Sequence, residues 1–130
     1  MTVGTRATFA LGIAAICMSA CERDPRQTRI IVRVPSPGGD LEAVYAEGLG
    51  GGATVGPSEE VYVVTKGASP TRAAKLFSAE HVCNLRVSWR SNEVVEVGYH
   101  ARKPLPDGVG TNGRIKVAKS WLGSDPANGC

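Results

Sequence analysis

The stretch LRVSWRSNEVVEVGY, residues 85–99, decides the fold because it has the pattern of a β-hairpin. Apolar side chains alternate with polar ones at its start, at Leu85, Val87 and Trp89. Such strict alternation is typical of a strand with one buried face. A polar segment follows, and then a second run rich in valine. The pattern predicts two antiparallel strands joined by a tight turn.

The register of this hairpin follows from the side chains that would face each other. A three-residue loop at 91–93 makes every facing pair apolar: Trp89 with Val95, Val87 with Val97, and Leu85 with Tyr99. A two-residue loop at 91–92 would instead place Val87 opposite Glu96. Because a slip by one residue exchanges the buried and exposed faces, we predict the three-residue loop.

Short apolar segments on both sides of the hairpin predict further strands. Three precede it, at 30–34, 41–47 and 61–64, and one follows it, at 114–118. Turn-forming and glycine-rich segments separate them, and no alternation of strands with helices is visible. We therefore predict an all-β domain at 30–122, a small antiparallel sheet or sandwich of about six strands, with a C-terminal tail at 123–130.

Residues 69–79 fit two local structures. Ser69 as an N-cap and Pro70 at the first helical position favour a helix. The segment Leu76-Phe77-Ser78 also fits a short edge strand. The local sequence leaves both alternatives open.

The first 20 residues have the pattern of a secretory signal peptide: one arginine, then an apolar run that is too short to span a membrane. The run ends in Met18-Ser19-Ala20-Cys21, which resembles the lipobox of bacterial lipoprotein signals. That resemblance implies diacylglycerol on the Cys21 thiol, cleavage before Cys21 and a further acyl chain such as palmitate on the new amino terminus. The alternative is ordinary cleavage after Ala20, which the large Met18 disfavours. Residues 21–29 would then be the lipidated cysteine and its tether.

The four cysteines fit this interpretation. Cys17 would leave with the signal peptide and Cys21 would carry the lipid, so that Cys83 and Cys130 remain. In a compartment that allows disulfides, we expect these two to pair. The bond would stabilise the domain by roughly 4 kcal/mol in the loop-entropy description. A free thiol at the terminal Cys130 is the alternative.

The net charge of the chain and the edge of the strand at 114–118 limit the kinds of partner that we expect. The whole chain has a formal net charge of +3, and removal of Arg6 with the signal peptide leaves +2. Such a weak positive charge argues against nucleic acid as a partner. The strand at 114–118 offers an edge to another protein, but Arg114, Lys116 and Lys119 favour blocking of that edge. We expect the lipid to attach the protein to a membrane in the cell envelope, facing the periplasm or the exterior, and a partner to be an envelope protein.

The residues that carry chemistry form no catalytic set. His81 and Cys83 would share one face of a strand, and with His100 they suggest the alternative of a small secreted metal-binding protein or hydrolase. A disulfide at Cys83 would remove its thiolate from such a site. The segment 48–53 matches G-x-G-x-x-A, but no helix start follows it. Glu59 and Glu60 are adjacent on a strand, so they point to opposite faces and form no acid–base pair. We predict no enzyme activity, no cofactor and no metal.

Two short motifs resemble an uncharacterised family of bacterial envelope lipoproteins, a domain of unknown function. The motifs are SPGGDLEAV at 36–44 and GGAT at 51–54. The family has a Ser-Pro-Asp-Gly-Lys-like turn and a Gly-Gly-Ala-Thr loop, from which Gly38 and Gly39 depart here. The resemblance covers about residues 30–99. It implies an envelope-anchored β domain, with Leu76-Phe77 in a strand, and it brings no assigned activity.

Overall fold

The computed structural model describes residues 28–48, 57–106 and 110–130. The predicted signal peptide at 1–20, Cys21 and most of the glycine-rich loop between the second and third strands lie outside these residues. Among the residues described, no helix has both the length and the apolar character needed to cross a membrane.

The described part of the chain folds into two four-stranded sheets, which confirms the all-β prediction. The first sheet has the order β1-β2-β3-β4 and the second has the order β5-β6-β8-β7. The strands are β1 (Thr28–Pro35), β2 (Leu41–Gly48), β3 (Ser58–Thr65), β4 (Lys75–Glu80), β5 (Cys83–Ser91), β6 (Val94–His100), β7 (Thr111–Asn112) and β8 (Ile115–Trp121). Two short 3₁₀ turns, Arg72–Ala74 and Pro126–Asn128, complete the described secondary structure.

One strand pair departs from the antiparallel arrangement that the sequence predicts. β8 runs parallel to β6, with Val95 beside Val117 and Val97 beside Lys119. β8 therefore begins beside the start of β6, with Lys116 beside Val94. β7 also pairs with the start of β8, so the edge expected at 114–118 is covered at Ile115 and Lys116.

The predicted hairpin register is confirmed in its centre. Trp89 pairs with Val95 and Val87 pairs with Val97. The ladder then continues to Ser91 and Val94 through a shift that bulges the strand, so the turn itself is tighter than predicted. The third expected pair, Leu85 with Tyr99, falls in a second irregularity between Cys83 and Arg86, where Asn84 has φ 54°.

The main core lies between the two sheets. It is formed by one face of each sheet and by Val82 and Ala101: Ala43, Val61, Val63, Leu76, Phe77, Ala79, Leu85, Val95, Val97, Tyr99, Ile115 and Val117. The Trp89 indole joins the sheets directly, since its Nε1 donates to the Val34 carbonyl at 2.9 Å. The other face of the first sheet carries a second cluster of buried apolar residues: Val44, Ala46, Tyr62 and Val64.

The ambiguous segment and the C-terminal segment both have defined structure. Leu76 and Phe77 lie in β4, as the family resemblance implies, after the single 3₁₀ turn. Cys130 is buried, and the structure has it bonded to Cys83 with a Cα–Cα distance of 6.3 Å. Asp125 and Cys130 also exchange two backbone hydrogen bonds, so the bond holds the tail against the start of β5.

The two ends of the sandwich are distinct. At one end, Thr28, Gly48, Ser58 and Glu80 lie side by side across the first sheet. β5 begins three residues after Glu80, so the disulfide and the ends of β6 and β8 belong to this same end. We call it the tether end, because the segment 21–27 joins it at Thr28. The opposite end holds the turns after β1, β5 and β7, about 24 Å away along a strand of eight residues.

Candidate functional site

Three turns meet at the end opposite the tether and line an open cleft of about 510 Å³. Its size lies within the range of small-ligand sites and of pockets for a few side chains. The turn between β1 and β2, the turn of the predicted hairpin and the turn between β7 and β8 each contribute. The lining residues are Gly38, Asp40, Leu41, Asn92, Glu93, Arg114 and Ile115.

The first turn is held by its own polar groups. Ser36 is buried and its backbone N–H donates to the Leu41 carbonyl, while the Leu41 N–H donates back to the Ser36 hydroxyl at 3.2 Å. Gly39 has φ 78°, a conformation that glycine adopts without steric cost. The Ser36 hydroxyl donates to the Asp40 carboxylate at 3.3 Å. The turn therefore fixes Asp40 at the cleft.

The other two turns bring an amide and two opposite charges. The Gly38 N–H donates to Asn92 Oδ1 at 2.8 Å, which links the first turn to the second sheet. Glu93 follows Asn92 in the same turn, and its N–H is bonded to the Ser91 hydroxyl. Arg114 occupies the turn before β8, where Gly113 has φ 60°. All three side chains that face the cleft from these turns are exposed.

The cleft is polar at its rim and apolar at its base. The rim carries the carboxylates of Asp40 and Glu93, the guanidinium of Arg114 and the amide of Asn92. Leu41 is half-buried and Ile115 is buried beneath them. A site with both charge signs and a small apolar base suits a protein segment better than a single phosphate or a metal ion. It contains no histidine or cysteine.

A buried polar cluster lies near the tether end, on the outer face of the first sheet. The Glu60 side chain has no exposed surface, and Lys75 Nζ donates to its Oε1 at 2.7 Å. The Tyr62 hydroxyl donates to Oε2, and the Ser58 hydroxyl donates to Oε1 at 3.2 Å. Burial raises the pKa of Glu60, but these hydrogen bonds and the Lys75 charge outweigh it, so the pKa lies below its usual value.

Glu59 lies on the other face of β3 and behaves differently. Burial and the nearby Glu47 carboxylate raise its pKa, while the Tyr45 hydroxyl and Arg29 act in the opposite direction. Tyr45 donates to Glu59, and its own pKa is raised by burial and by this carboxylate. The two glutamates therefore do not act on one another, as their spacing predicts.

The structure does not assemble His81, Cys83 and His100 into the metal site of the alternative prediction. Cys83 and His100 are paired across β5 and β6, but Cys83 is in the disulfide and supplies no thiolate. His81 lies outside the strand with φ 57°, so it does not share a strand face with Cys83. Among the described residues, no three side chains of His, Cys, Asp or Glu lie close enough together to hold a metal ion.

Comparison with family models, with curated proteins and with solved structures finds no match to this chain. The resemblance to the envelope lipoprotein family therefore stays a prediction. So does lipidation of Cys21, which lies outside the described residues.

The turns of the cleft are recognisable in the sequence, but their proximity in the fold is not. The segments 35–40, 91–93 and 103–113 are each rich in turn residues. Their meeting depends on β8 lying parallel to β6, which places the turn before β8 beside the hairpin turn. The order of the strands is the signal that could have revealed this proximity. If the two sheets are aligned, the turns that follow β1 and β5 fall at the same end of the sandwich.

Proposed function

We propose that this protein is a lipid-anchored, non-enzymatic interaction module of the bacterial cell envelope. The observation that carries the proposal is the opposition of the two ends of the sandwich. The chain toward the lipobox-like Cys21 joins one end, and the polar cleft lies at the other. A domain tethered in this way presents its cleft away from the membrane.

The chemistry of the cleft supports an interaction role. Its charged side chains, Asp40, Glu93 and Arg114, are exposed and are held on short turns rather than on long loops. Binding groups that are positioned by a rigid scaffold lose less freedom on association. The partner that fits is an envelope protein segment that offers both charge signs and one or two apolar side chains.

Membrane fractionation tests the anchor. The full chain and its Cys17→Ala variant should be released from membranes only by detergent, because Cys17 lies within the predicted signal peptide. The Cys21→Ala variant should be lost from the membrane fraction. Detergent-dependent release of Cys21→Ala that equals the parent would refute the anchor.

Capture from a solubilised envelope extract tests the cleft. Arg114→Glu reverses a charge on the cleft rim, and Arg86→Glu makes the same change on an exposed residue of β5 away from the cleft. A partner of the cleft should be retained by the parent and by Arg86→Glu, and lost from Arg114→Glu. Equal capture by all three proteins would contradict the proposed binding role.

A further inference from the structure

An apolar and basic patch lies at the tether end of the domain. Trp121 and Leu122 are among the few large apolar side chains that the described structure leaves exposed, at 45% and 43% of their surface. Arg102 and Lys103 are exposed as well. We call these four residues the Trp121 patch.

Backbone contacts hold the two halves of the patch together. The Trp121 indole Nε1 donates to the Ala101 carbonyl at 3.0 Å, directly before Arg102. The Ala101 N–H in turn donates to the Gly123 carbonyl at 3.1 Å, directly after Leu122. The Trp121 ring is therefore fixed at its nitrogen, although 45% of the residue stays exposed.

The segment that carries the two basic residues is held from its other side too. The Leu105 N–H donates to the Tyr99 hydroxyl at 2.8 Å, and Leu105 packs on the main core. Asp125, the carboxylate that follows Leu122 along the chain, accepts bonds from the amides of Asn84 and Asn128. Those amides hold the Asp125 carboxylate in place, while Arg102 and Lys103 present two exposed cationic side chains directly after Ala101.

The length of the tether limits the distance between the lipidated Cys21 and the end of the sandwich that carries this patch. Thr28 is the seventh residue after Cys21, so a fully extended chain places it no more than about 24 Å from the lipidated residue. Thr28 and Trp121 belong to the same end of the sandwich. A lipid on Cys21 would hold this end, and not the cleft, close to the bilayer surface.

We propose that the Trp121 patch docks on the phospholipid surface and orients the domain on the membrane. Tryptophan is enriched at membrane interfaces, where its ring lies at headgroup level with the nitrogen hydrogen-bonded. Leu122 adds an apolar contact, and Arg102 and Lys103 face anionic headgroups. This inference rests on the proposed lipid anchor and specifies how the anchored domain is turned.

Fluorescence quenching in vesicles tests the inference. The lipidated mature chain, which begins at Cys21, is reconstituted into vesicles of phosphatidylethanolamine and phosphatidylglycerol, with or without bromine on the acyl chains near the headgroup. Trp121 should be quenched by the brominated lipid. Trp89, which bonds to Val34 nearer the cleft end, should not be quenched. Trp121→Phe should abolish the loss of emission, and an equal loss in the parent and in Trp121→Phe would overturn the inference.

Variants that keep Trp121 make the test independent of that substitution. Leu122→Gln and the double variant Arg102→Gln/Lys103→Gln should each reduce the quenching of Trp121. The control Lys66→Gln/Lys116→Gln removes the same charge from exposed residues near the cleft end and should leave quenching unchanged. Equal quenching in all of these proteins would also overturn the docking surface.

Mass spectrometry of the same sample separates this inference from the function on which it rests. A lipidated Cys21 without quenching of Trp121 would overturn the docking surface and leave the anchor in place. An unmodified Cys21 would overturn the proposed anchor and the docking surface with it.

Discussion

Glu59 and Glu60 are consecutive residues of β3, yet their pKa values are displaced in opposite directions. Glu60 lies on the outer face of the first sheet with Lys75, Tyr62 and Ser58 around its carboxylate. Glu59 lies on the inner face, opposite Glu47 in the ladder. One face of the strand stabilises a carboxylate and the other face disfavours it, so the two residues give opposite dependences of stability on pH.

Loss of Lys75 should destabilise the protein strongly. Lys75→Met leaves the Glu60 charge buried without its ammonium partner, and we expect the free energy of unfolding at pH 7 to fall by about 3 kcal/mol. Glu60→Gln/Lys75→Met should recover part of that loss. Arg90→Met breaks the exposed pair with Glu96 and should cost less than about 1 kcal/mol. Chemical denaturation measures all three, and equal losses for Lys75→Met and Arg90→Met would contradict the role of burial.

The acid side of the stability curve should depend on Glu60. Its folded pKa is below the usual 4.5, so its stabilising effect is complete above the unfolded pKa and is lost as the pH falls through the folded pKa. Glu60→Gln should lack this contribution to acid destabilisation. Thermal unfolding between pH 2 and pH 7 tests this, and parallel curves for parent and variant would contradict it.

Glu59→Gln should have the opposite effect. Because the folded pKa of Glu59 is raised, ionisation costs stability once the pH exceeds the unfolded pKa. The amide removes the repulsion from Glu47 and still accepts from Tyr45. We expect Glu59→Gln to stabilise the protein at pH 7 by up to about 1 kcal/mol. At the acid end of the range from pH 2 to pH 7, we expect the variant and the parent to have the same stability. Glu80→Gln, the same change at an exposed residue, should show no gain at pH 7.

Gly48 should tolerate no larger side chain while Ser58 is present. A Cβ at Gly48 would lie 2.5 Å from the Ser58 hydroxyl oxygen, which bonds to Glu60. We expect Gly48→Ala to lower the free energy of unfolding by about 2 kcal/mol. In a Ser58→Ala background the added cost should be much smaller, since the oxygen is gone. The same cost in both backgrounds would show that this contact is not the cause.

The disulfide should contribute to stability through the tail. We expect Cys130→Ser to lower the free energy of unfolding by about 3 kcal/mol, and a reductant to lower the melting temperature of the parent but not of the variant. Thiol counting on the denatured, unreduced product of processing checks the bond itself. Two free thiols from Cys83 and Cys130 would refute the pairing.

The alternation of side chains predicts the register of the hairpin well, but it does not predict which strands are neighbours in a sheet. The pairing of Trp89 with Val95 followed from alternation, because only one register buries both apolar faces. The parallel pairing of β6 with β8 did not, since the alternation at 114–118 says which face is buried but not which neighbour lies beside it.

The local sequence pattern also does not predict that Glu60 is buried. The continuous apolar run Val61-Tyr62-Val63-Val64 indicates burial on both faces of β3, and the structure has all four residues buried. The sequence contains no sign that Lys75 would reach Glu60 from the next strand. That contact depends on the register of β3 and β4, which shifts between Val61 and Tyr62.

The membrane anchor depends on a lipid at Cys21, which intact mass spectrometry of the membrane-extracted protein detects. We expect a chain that begins at Cys21 and carries the mass of diacylglycerol and a further acyl chain. A chain that still begins at Met1, one that begins at Glu22, or an unmodified Cys21 would contradict it.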